Sequence, residues 1–324
     1  MTEAVIGLDT SNYRTSLAVV SISGEVLLDL RKLLPVPAGG RGLRQCDAVY
    51  AHLKSIKEFW PHVMKIADLC SFKAICSSVK PRDREDSYMP VFEVGDTIGR
   101  GLSATMDLPF FQTDHQHGHL RAAGFGTCLE EDSCYLALHL SGGTTDLLWV
   151  CDDHIKQIGG SMDLHVGQLV DRIGVALGLS FPSGPALEEI AKKGKSRGIL
   201  GCSMEKGDLF CHFSGAETKG LDLIRRESLR REDLAMEVYD LISRTTVRML
   251  NAGKKTTECS KCLICGGVAS SGLLRKLLSE KIKKTRSELD IVFGEPAYSG
   301  DNAVGVALIG ADRIRRQKNG GEIA

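Results

Sequence analysis

The stretch LDTSNYRTSLAVV, residues 8–20, aligns without a gap with LHLSGGTTDLLWV, residues 138–150. Both stretches read as an apolar strand, a tight turn rich in Ser, Thr, Asn or Gly, and a second apolar strand. A turn with clustered hydroxyls and free backbone N–H groups is a shape that holds phosphate oxygens. The repeat therefore predicts two similar hairpins that each offer a phosphate turn, with two unrelated hairpins as the alternative.

Two such hairpins, 130 positions apart, predict a duplicated chain with two similar lobes around a central cleft. This layout resembles the actin, sugar-kinase and heat-shock ATPase superfamily, an α/β fold with a mixed sheet in each lobe. We place the first lobe at residues 1–130, joined by the C-terminal helical segment 301–324. The second lobe is predicted at residues 131–300.

Composition limits the class of protein. A chain of 324 residues suits two domains, and a formal net charge of zero gives no global field that would recruit nucleic acid or membrane. No apolar run approaches the roughly 18 residues of a membrane span, and the chain enters a strand at once, without a basic start or a cleavable leader. Eleven cysteines, scattered through predicted strands and helices, favour a reducing cytoplasm over a disulfide framework.

Basic residues are grouped locally. These groups leave room for an RNA contact surface, although solvated helix faces are the ordinary explanation. The groups are Lys192-Lys193-Lys195-Arg197, Arg225-Arg226, Arg230-Arg231 and Lys281-Lys283-Lys284-Arg286.

The motif HQHGH, residues 115–119, is the sharpest local signal for chemistry. In a helix, His115 and His119 share a face, and paired imidazoles at this spacing hold zinc or another transition metal. Surface polarity is the alternative. A site needs a further ligand, for which His139 and Asp301 are candidates, although Asp301 precedes a predicted helix and could instead be its N-cap.

Two other features point to a nucleotide. Asp9 ends an apolar strand just before the first turn, where a carboxylate faces a metal or phosphate, or else bonds its own backbone. Gly266 and Gly267 lie between a strand and a helix, which allows close approach of a ligand to the helix N-terminus. The spacing of Cys259, Cys262 and Cys265 resembles a metal motif, but Cys262 and Cys265 face opposite sides of a predicted strand, which argues against it.

Eight segments, taken in chain order, resemble motifs of the family of transferases that make threonylcarbamoyladenosine in tRNA, once described as O-sialoglycoprotein endopeptidases. The segments are IGLDTS at 6–11, HQHGH at 115–119, LSGGTT at 140–145, LVDR at 169–172, PSGP at 182–185, FSG at 213–215, CGGVA at 265–269, and Asp301-Asn302-Ala303.

The resemblance implies a role for each matching residue. His115, His119 and Asp301 would hold one divalent metal ion, iron or zinc, with His139 as a candidate fourth ligand. Asp9 and Asp171 are the candidates for a catalytic base. The adenylate, or ATP, would contact nine positions, namely Ser141, Gly142, Gly143, Asp171, Gly184, Glu188, Gly266, Gly267 and Ser271.

The chain also departs from the family pattern. His117, Thr144, Glu217 and Ser271 stand where the family has Glu, His, Lys and Asn. Residues 80–92 replace a glycine-rich segment at which the bacterial family docks its accessory protein, so this docking surface is expected to be altered.

The resemblance implies transfer of a threonylcarbamoyl group from threonylcarbamoyl-adenylate to the adenosine beside the tRNA anticodon, in the cytoplasm and away from membranes. One alternative is a paralogue that binds or hydrolyses ATP in the same cleft, motivated by Thr144, Glu217 and Ser271. Another is a partner-binding scaffold, against which the three retained metal ligands argue. A peptidase is disfavoured because no H-E-x-x-H helix is present.

Overall fold

Both halves of the chain are built on a mixed β-sheet. The computed structural model describes residues 1–11, 14–35, 43–84, 86–129, 134–152 and 154–320. These residues divide into two units, Met1–Phe125 with Gly300–Ala324 as unit 1 and Gly126–Ser299 as unit 2. The sequence predicts the start of the second lobe at residue 131, whereas unit 2 begins at Gly126.

The strands and helices are numbered separately in chain order. The strands are β1 (Thr2–Asp9), β2 (Arg14–Ser21), β3 (Val26–Leu33), β4 (Cys70–Lys80), β5 (Phe110–Asp114), β6 (Cys134–Leu140), β7 (Thr145–Cys151), β8 (His154–Ser161), β9 (Ser203–Glu205), β10 (Phe210–His212), β11 (Lys261–Cys265) and β12 (Asp290–Phe293). The helices are α1 (Gln45–Ala67), α2 (Phe92–Met106), α3 (His115–Gly124), α4 (Val166–Ala176), α5 (Gly184–Ala191), α6 (Ser214–Arg225), α7 (Arg231–Thr257), α8 (Gly272–Thr285) and α9 (Val304–Lys318).

Five strands of each sheet share one topology. The sheet of unit 1 has the order β3-β2-β1-β4-β5, and the sheet of unit 2 has the order β12-β11-β6-β7-β8-β10-β9. In each sheet the first three strands of the unit form an antiparallel meander, and two later strands, β4 and β5 or β11 and β12, add in parallel beside the first strand. The sheet of unit 2 also has β10 and β9 at its other edge. The pair Leu8–Leu17 in unit 1 corresponds to Leu138–Leu147 in unit 2, as the 130-residue repeat predicts. The structure therefore confirms the duplication that the two repeated hairpins indicate in the sequence.

The core of unit 1 lies on both faces of its sheet. The central strand β1 is buried from Ala4 to Asp9. Helix α9 packs on one face of the sheet, and helices α1 and α2 contact the strands of the same sheet. A strand covered on both faces reads as a continuous apolar run, which explains AVIGL at residues 4–8. The C-terminal helix α9 packs on β1, β2 and β4 of this unit.

Two of the eleven cysteines are bonded to each other. Cys134 and Cys151 form a disulfide, because they lie directly opposite each other in the antiparallel β6–β7 ladder. The other nine cysteines are free. None of the helices in the described part of the chain combines the length and the apolar character that a membrane span requires.

Candidate metal centre and substrate cavity

The candidate metal centre begins where β5 runs directly into α3. Asp114 is the N-cap of this helix, and its carboxylate accepts a hydrogen bond from the His117 backbone N–H (3.0 Å). This start places His115 in the first turn and His119 one turn later on the same face. The Nε2 atoms of the two imidazoles are 2.9 Å apart.

Asp301 completes the group from the other end of unit 1. Its Oδ1 lies 3.1 Å from His119 Nε2 and 3.7 Å from His115 Nε2. The three ligand atoms all lie within 4.8 Å of one another, so one cation can contact all three. Their side chains are 20%, 12% and 33% exposed, in the order His115, His119, Asp301, so solvent can reach a bound ion.

A close helix crossing brings Asp301 to α3. A Cβ atom on Gly305 would lie 1.9 Å from the carbonyl oxygen of Gly118, so α9 contacts the backbone of α3 at this point. Asp301 lies just before α9 and is held by Arg14, whose guanidinium donates to its backbone oxygen (3.2 Å). The Asn302 side chain, rather than Asp301, accepts from the Val304 N–H at the helix start (3.0 Å). The N-cap alternative is therefore wrong for Asp301, and its carboxylate faces the histidines.

Asp9 lies behind the metal centre. It is 1% exposed, and its Oδ2 lies 2.9 Å from His115 Nδ1, which leaves His115 Nε2 directed toward Asp301. Ser78 donates to the other oxygen of Asp9 (2.6 Å), so the carboxylate is itself fixed. A carboxylate that holds the second ring nitrogen of a histidine is the usual support of a metal ligand.

Charge and burial oppose each other at this site. Burial lowers the pKa of the His115 imidazole, but the charge and hydrogen bond of Asp9, with the charges of Asp301 and Asp114, outweigh burial and raise the pKa to about 9. Burial raises the pKa of Asp301, whereas the hydrogen bond of His119 and the nearby His115, His119 and Arg14 lower it further than burial raises it. The net result is a carboxylate with a pKa well below its usual range.

We expect Asp9→Asn to weaken metal binding by about 10- to 100-fold, because losing a carboxylate that orients a ligand has this effect at metal sites. Titration with Zn²⁺ against a competing chelator measures it. Asp29→Asn, which removes a carboxylate paired with Arg31 on β3, is the matched control and should bind the ion as the parent does. Equal affinity in Asp9→Asn and Asp29→Asn would contradict the supporting role of Asp9.

The other histidines and cysteines lie elsewhere. His117 bonds through its Nδ1 to the Asp114 carboxylate and so does not join His115 and His119. His139 is a residue of β6 in unit 2, opposite Asp146, and remains a prediction as a fourth ligand. Burial raises the pKa of Cys262 and Cys265 to about 12 each, so these thiols stay neutral, in keeping with a place in the core.

Unit 2 contains a cavity of about 300 Å³ at the positions predicted to bind the adenylate. Six of the nine predicted residues line it, namely Gly142, Asp171, Gly184, Glu188, Gly267 and Ser271. Ser141, Gly143 and Gly266 are not among its lining residues. A neighbouring open cavity of about 630 Å³ shares Gly142 and Asp171 with it and has apolar walls that include Val175 and Phe181.

Three polar side chains of the smaller cavity have defined partners. Asp171 accepts from the backbone N–H of Ser183 (2.7 Å). Glu188 accepts from the Leu273 N–H (2.8 Å), and Ser271 accepts from the Leu274 N–H (3.1 Å), so both stabilise the first turn of α8. A carboxylate at this helix N-terminus supplies the negative charge that the end favours, and it also offers an acceptor to ligand hydroxyls.

Tyr239 is a cavity residue that the sequence analysis missed. It lies on α7, is 2% exposed, and its hydroxyl donates to the Gly184 carbonyl (3.0 Å). Burial raises its pKa, so the hydroxyl stays protonated. A tyrosine at a buried position of a long helix needs a hydrogen-bond partner for its hydroxyl. This requirement was the feature of the sequence that could have identified Tyr239.

The first repeated turn differs from the expected phosphate turn. The Thr10 hydroxyl donates to the Val91 carbonyl (2.8 Å) and accepts from the Gly95 N–H (3.1 Å), and the Ser11 hydroxyl donates to Asp9 (3.1 Å). The expectation that these hydroxyls face a phosphate is wrong, because the fold itself uses them. Residues 12 and 13 of this turn lie outside the described part of the chain. In the second turn, by contrast, Gly142 and Gly143 are exposed.

Two solved structures resemble the fold. HypF of T. kodakarensis superposes with a TM-score of 0.61 at 13% identity and covers 97% of this chain, which in turn spans about half of HypF (48%). ROK hexokinase from Thermus thermophilus gives a TM-score of 0.55 at 14% identity, covering 96% of this chain and 99% of the hexokinase. The prediction of an α/β fold of the actin-like ATPase type is confirmed.

The sequence itself matches one family over two thirds of its length. The family described as tRNA N6-adenosine threonylcarbamoyltransferase (TsaD) matches residues 88–308. The protein of that name from Pyrobaculum calidifontis is 28% identical over 320 residues, which cover 97% of this chain and 89% of the relative. The family resemblance seen in the eight motifs is confirmed, and this chain belongs to the tRNA N6-adenosine threonylcarbamoyltransferase family.

Proposed function

We propose that this protein transfers the threonylcarbamoyl group of threonylcarbamoyl-adenylate to N6 of the adenosine adjacent to the tRNA anticodon. The observation that carries the proposal is the convergence of His115, His119 and Asp301 in a chain of this family. A protein that had lost the reaction would have no need to hold ligands from residues 115 and 301 around one point.

The metal fits the residues present. Two imidazole nitrogens and one carboxylate oxygen suit zinc and iron alike, and three protein ligands leave coordination positions open for substrate. His115, His119 and Asp301 hold the ion, and Asp9 is a positioning residue that orients His115. When bound, the ion supplies a Lewis acid toward the threonylcarbamoyl oxygens.

The adenylate binds in the smaller cavity of unit 2, whose volume of about 300 Å³ lies at the lower end for small-molecule sites. Glu188 and Ser271 accept from the ribose hydroxyls, since a carboxylate repels phosphate but accepts hydroxyl donors. The exposed Gly142 and Gly143 of the second turn offer their backbone N–H groups to the phosphate, whereas the Ser141 N–H donates to the Thr144 carbonyl (2.9 Å). Gly267 lines this cavity and allows close approach of the adenosine. Gly266 lies against β6, since a Cβ atom there would be 2.4 Å from the Leu140 carbonyl oxygen.

The transfer step forms one bond and breaks one. N6 of the acceptor adenosine bonds to the carbamoyl carbon, the bond from this carbon to the AMP phosphate oxygen breaks, and one N6 proton leaves to a base. Asp171 is our candidate for this base, because it lines the cavity and the Ser183 N–H holds its carboxylate in place (2.7 Å). Asp9 is less suited to be the base, because it is buried behind His115.

Modified-nucleoside analysis tests the proposal. Purified, metal-loaded protein is incubated with threonylcarbamoyl-adenylate and two tRNA transcripts, which carry adenosine or guanosine next to the anticodon. Threonylcarbamoyladenosine should appear only in the adenosine transcript. Its absence from both transcripts, together with a normal level in tRNA from a deletion strain that encodes no second copy, would defeat the proposal.

Gly142→Val is expected to abolish adenylate binding without unfolding the protein. A Cβ atom on Gly142 meets nothing within 4 Å, so the valine fits, but its methyl groups enter the cavity that Gly142 lines. The shift in melting temperature on adding AMP should fall below one tenth of the parent value, because stabilisation follows ligand affinity by mass action. Gly201→Val is the control, since Gly201 has the same open surroundings and is not among the cavity residues. A full AMP shift in Gly142→Val would exclude this cavity.

We propose tRNA as the macromolecular partner, and hence the cytoplasm as the place of action. We also propose an accessory protein of the same modification system as a second partner, whose docking surface is altered at residues 80–92. This surface has its own charge pattern, with an ion pair between Lys80 and Asp83 (2.7 Å) and an exposed Tyr88.

A further inference from the structure

A short loop in unit 2 carries four exposed cations. Residues 192–200, called here the basic loop, follow α5 and precede β9. Lys192, Lys193, Lys195 and Arg197 are all exposed. The proposed chemistry uses none of them.

Helix α7 fixes the backbone of the basic loop. Asp233 accepts from the Lys195 N–H (2.9 Å), and Asp240 accepts from the Ser196 hydroxyl (3.0 Å). Between them, Glu237 accepts from the N–H groups of Arg197 and Leu200. Residues 233, 237 and 240 lie on one face of a helix, so a single stripe of carboxylates holds the whole loop.

The loop alternates between the helix and solvent. Gly194 rests on α7, since a Cβ atom there would lie 1.9 Å from the Glu232 carbonyl oxygen. The Ser196 side chain also turns to α7, through Asp240. The intervening side chains of Lys193, Lys195 and Arg197 are exposed. Such an alternation presents three cations along one edge of a fixed backbone.

The carboxylates of α7 do not form salt bridges with these three cations. Asp233 pairs with Arg230 (2.7 Å), and Asp240 pairs with Arg244 (2.8 Å) and Lys281 (2.7 Å). Lys192 pairs with Glu189 (2.5 Å). Within the part of the chain that the structure describes, Lys193, Lys195 and Arg197 have no salt bridge. The charge of Arg197 also acts on the Asp233 carboxylate, but all three side chains are exposed and can meet an external anion.

The basic loop lies one short helix away from the substrate cavity. Helix α5 begins at Gly184, which lines the cavity, and its eight residues end at Ala191, next to the loop. Eight helical residues span about 12 Å. A nucleic acid whose acceptor base reaches the adenylate bound in this cavity therefore has neighbouring phosphates within reach of the loop.

We infer that the basic loop binds the phosphate backbone of tRNA next to the acceptor adenosine; this inference rests on the proposed function. Lysine and arginine side chains that contact phosphates position a nucleic acid without reading its sequence. Because α7 holds the backbone in place, ordering of the loop adds little to the entropy lost on binding.

Direct binding of tRNA tests this, independently of transfer. The variant K193Q/K195Q/R197Q is compared with K276Q/K283Q/K284Q, which removes three exposed lysines from α8 in the same unit. Fluorescence anisotropy with labelled tRNA is recorded from about 50 to 300 mM salt. The loop variant should bind about 10- to 100-fold more weakly, and its slope of log affinity against log salt should fall by about 2 to 3. The α8 variant should match the parent.

A third variant separates charge from structure. K193R/K195R/R197K keeps the three charges and should bind tRNA within about twofold of the parent. The melting shift with AMP should be unchanged in all three variants, since none of these residues lines the cavity. Parent-like tRNA affinity in the K193Q/K195Q/R197Q variant overturns the inference. That result is the one expected if the loop binds an acidic protein and not tRNA. Equal loss in the α8 variant also overturns it. Failure of transfer with intact, loop-dependent tRNA binding would count against the proposed function alone.

Discussion

His115→Ala/His119→Ala protein is expected to contain no bound metal and to transfer threonylcarbamoyl groups at least about a thousandfold more slowly than the parent. Two of the three ligand atoms within 4.8 Å of one another are removed, so the ion loses most of its coordination. A Lewis acid contributes several kcal/mol to such a step, and each 1.36 kcal/mol is about tenfold in rate. Elemental analysis and a single-turnover assay with tRNA measure the two quantities.

The matched control for this prediction is His117→Ala on the same helix. His117 turns to Asp114, and its backbone N–H keeps the N-cap hydrogen bond whatever the side chain is. This variant should retain one metal ion per chain. Both proteins should keep a parent-like circular dichroism spectrum, because the two ligand histidines are partly exposed and not core residues. A double variant that keeps its metal and its rate would contradict the proposed centre.

Gly305→Val is expected to lower the free energy of unfolding by about 3 kcal/mol and to weaken metal binding more than tenfold. A Cβ atom at this position would lie 1.9 Å from the Gly118 carbonyl oxygen and 2.8 Å from the Ala122 backbone nitrogen, so α3 and α9 must separate. His119 lies on α3 and Asp301 just before α9, so separation lengthens the 3.1 Å contact between them. Urea unfolding and Zn²⁺ titration measure the two effects.

The control substitution is Gln317→Val on the exposed part of α9. It introduces the same side chain into the same helix and should cost less than about 1 kcal/mol, the usual difference in helix propensity. Replacing a glycine by valine in an unobstructed helix would raise the helix propensity. A loss of stability in Gly305→Val must therefore come from the crossing of α3 and α9. Unchanged stability in Gly305→Val would show that α3 and α9 are not in backbone contact.

The sequence predicted most of the structural features that depend only on residues close together in the chain. The hairpins at residues 8–20 and 138–150 are local structures, and their alternating apolar residues specify strand, turn and strand. The histidines at 115 and 119 are one helical turn apart, so their shared face follows from helix geometry. The strands β9 and β10 and the helix α6 escaped prediction, because three-residue strands are too short for a period and α6 has few buried residues.

Contacts between distant residues were decided only by the tertiary structure. Asp301 is 182 residues away from His119, and the crossing of α3 and α9 at Gly118 and Gly305 brings them together. The burial of Asp9 behind His115, and the disulfide between Cys134 and Cys151, likewise depend on which strands and helices pair. A sequence pattern determines which side chains share a face of one element, whereas packing determines which faces meet, because that choice depends on the shape and volume of the whole core.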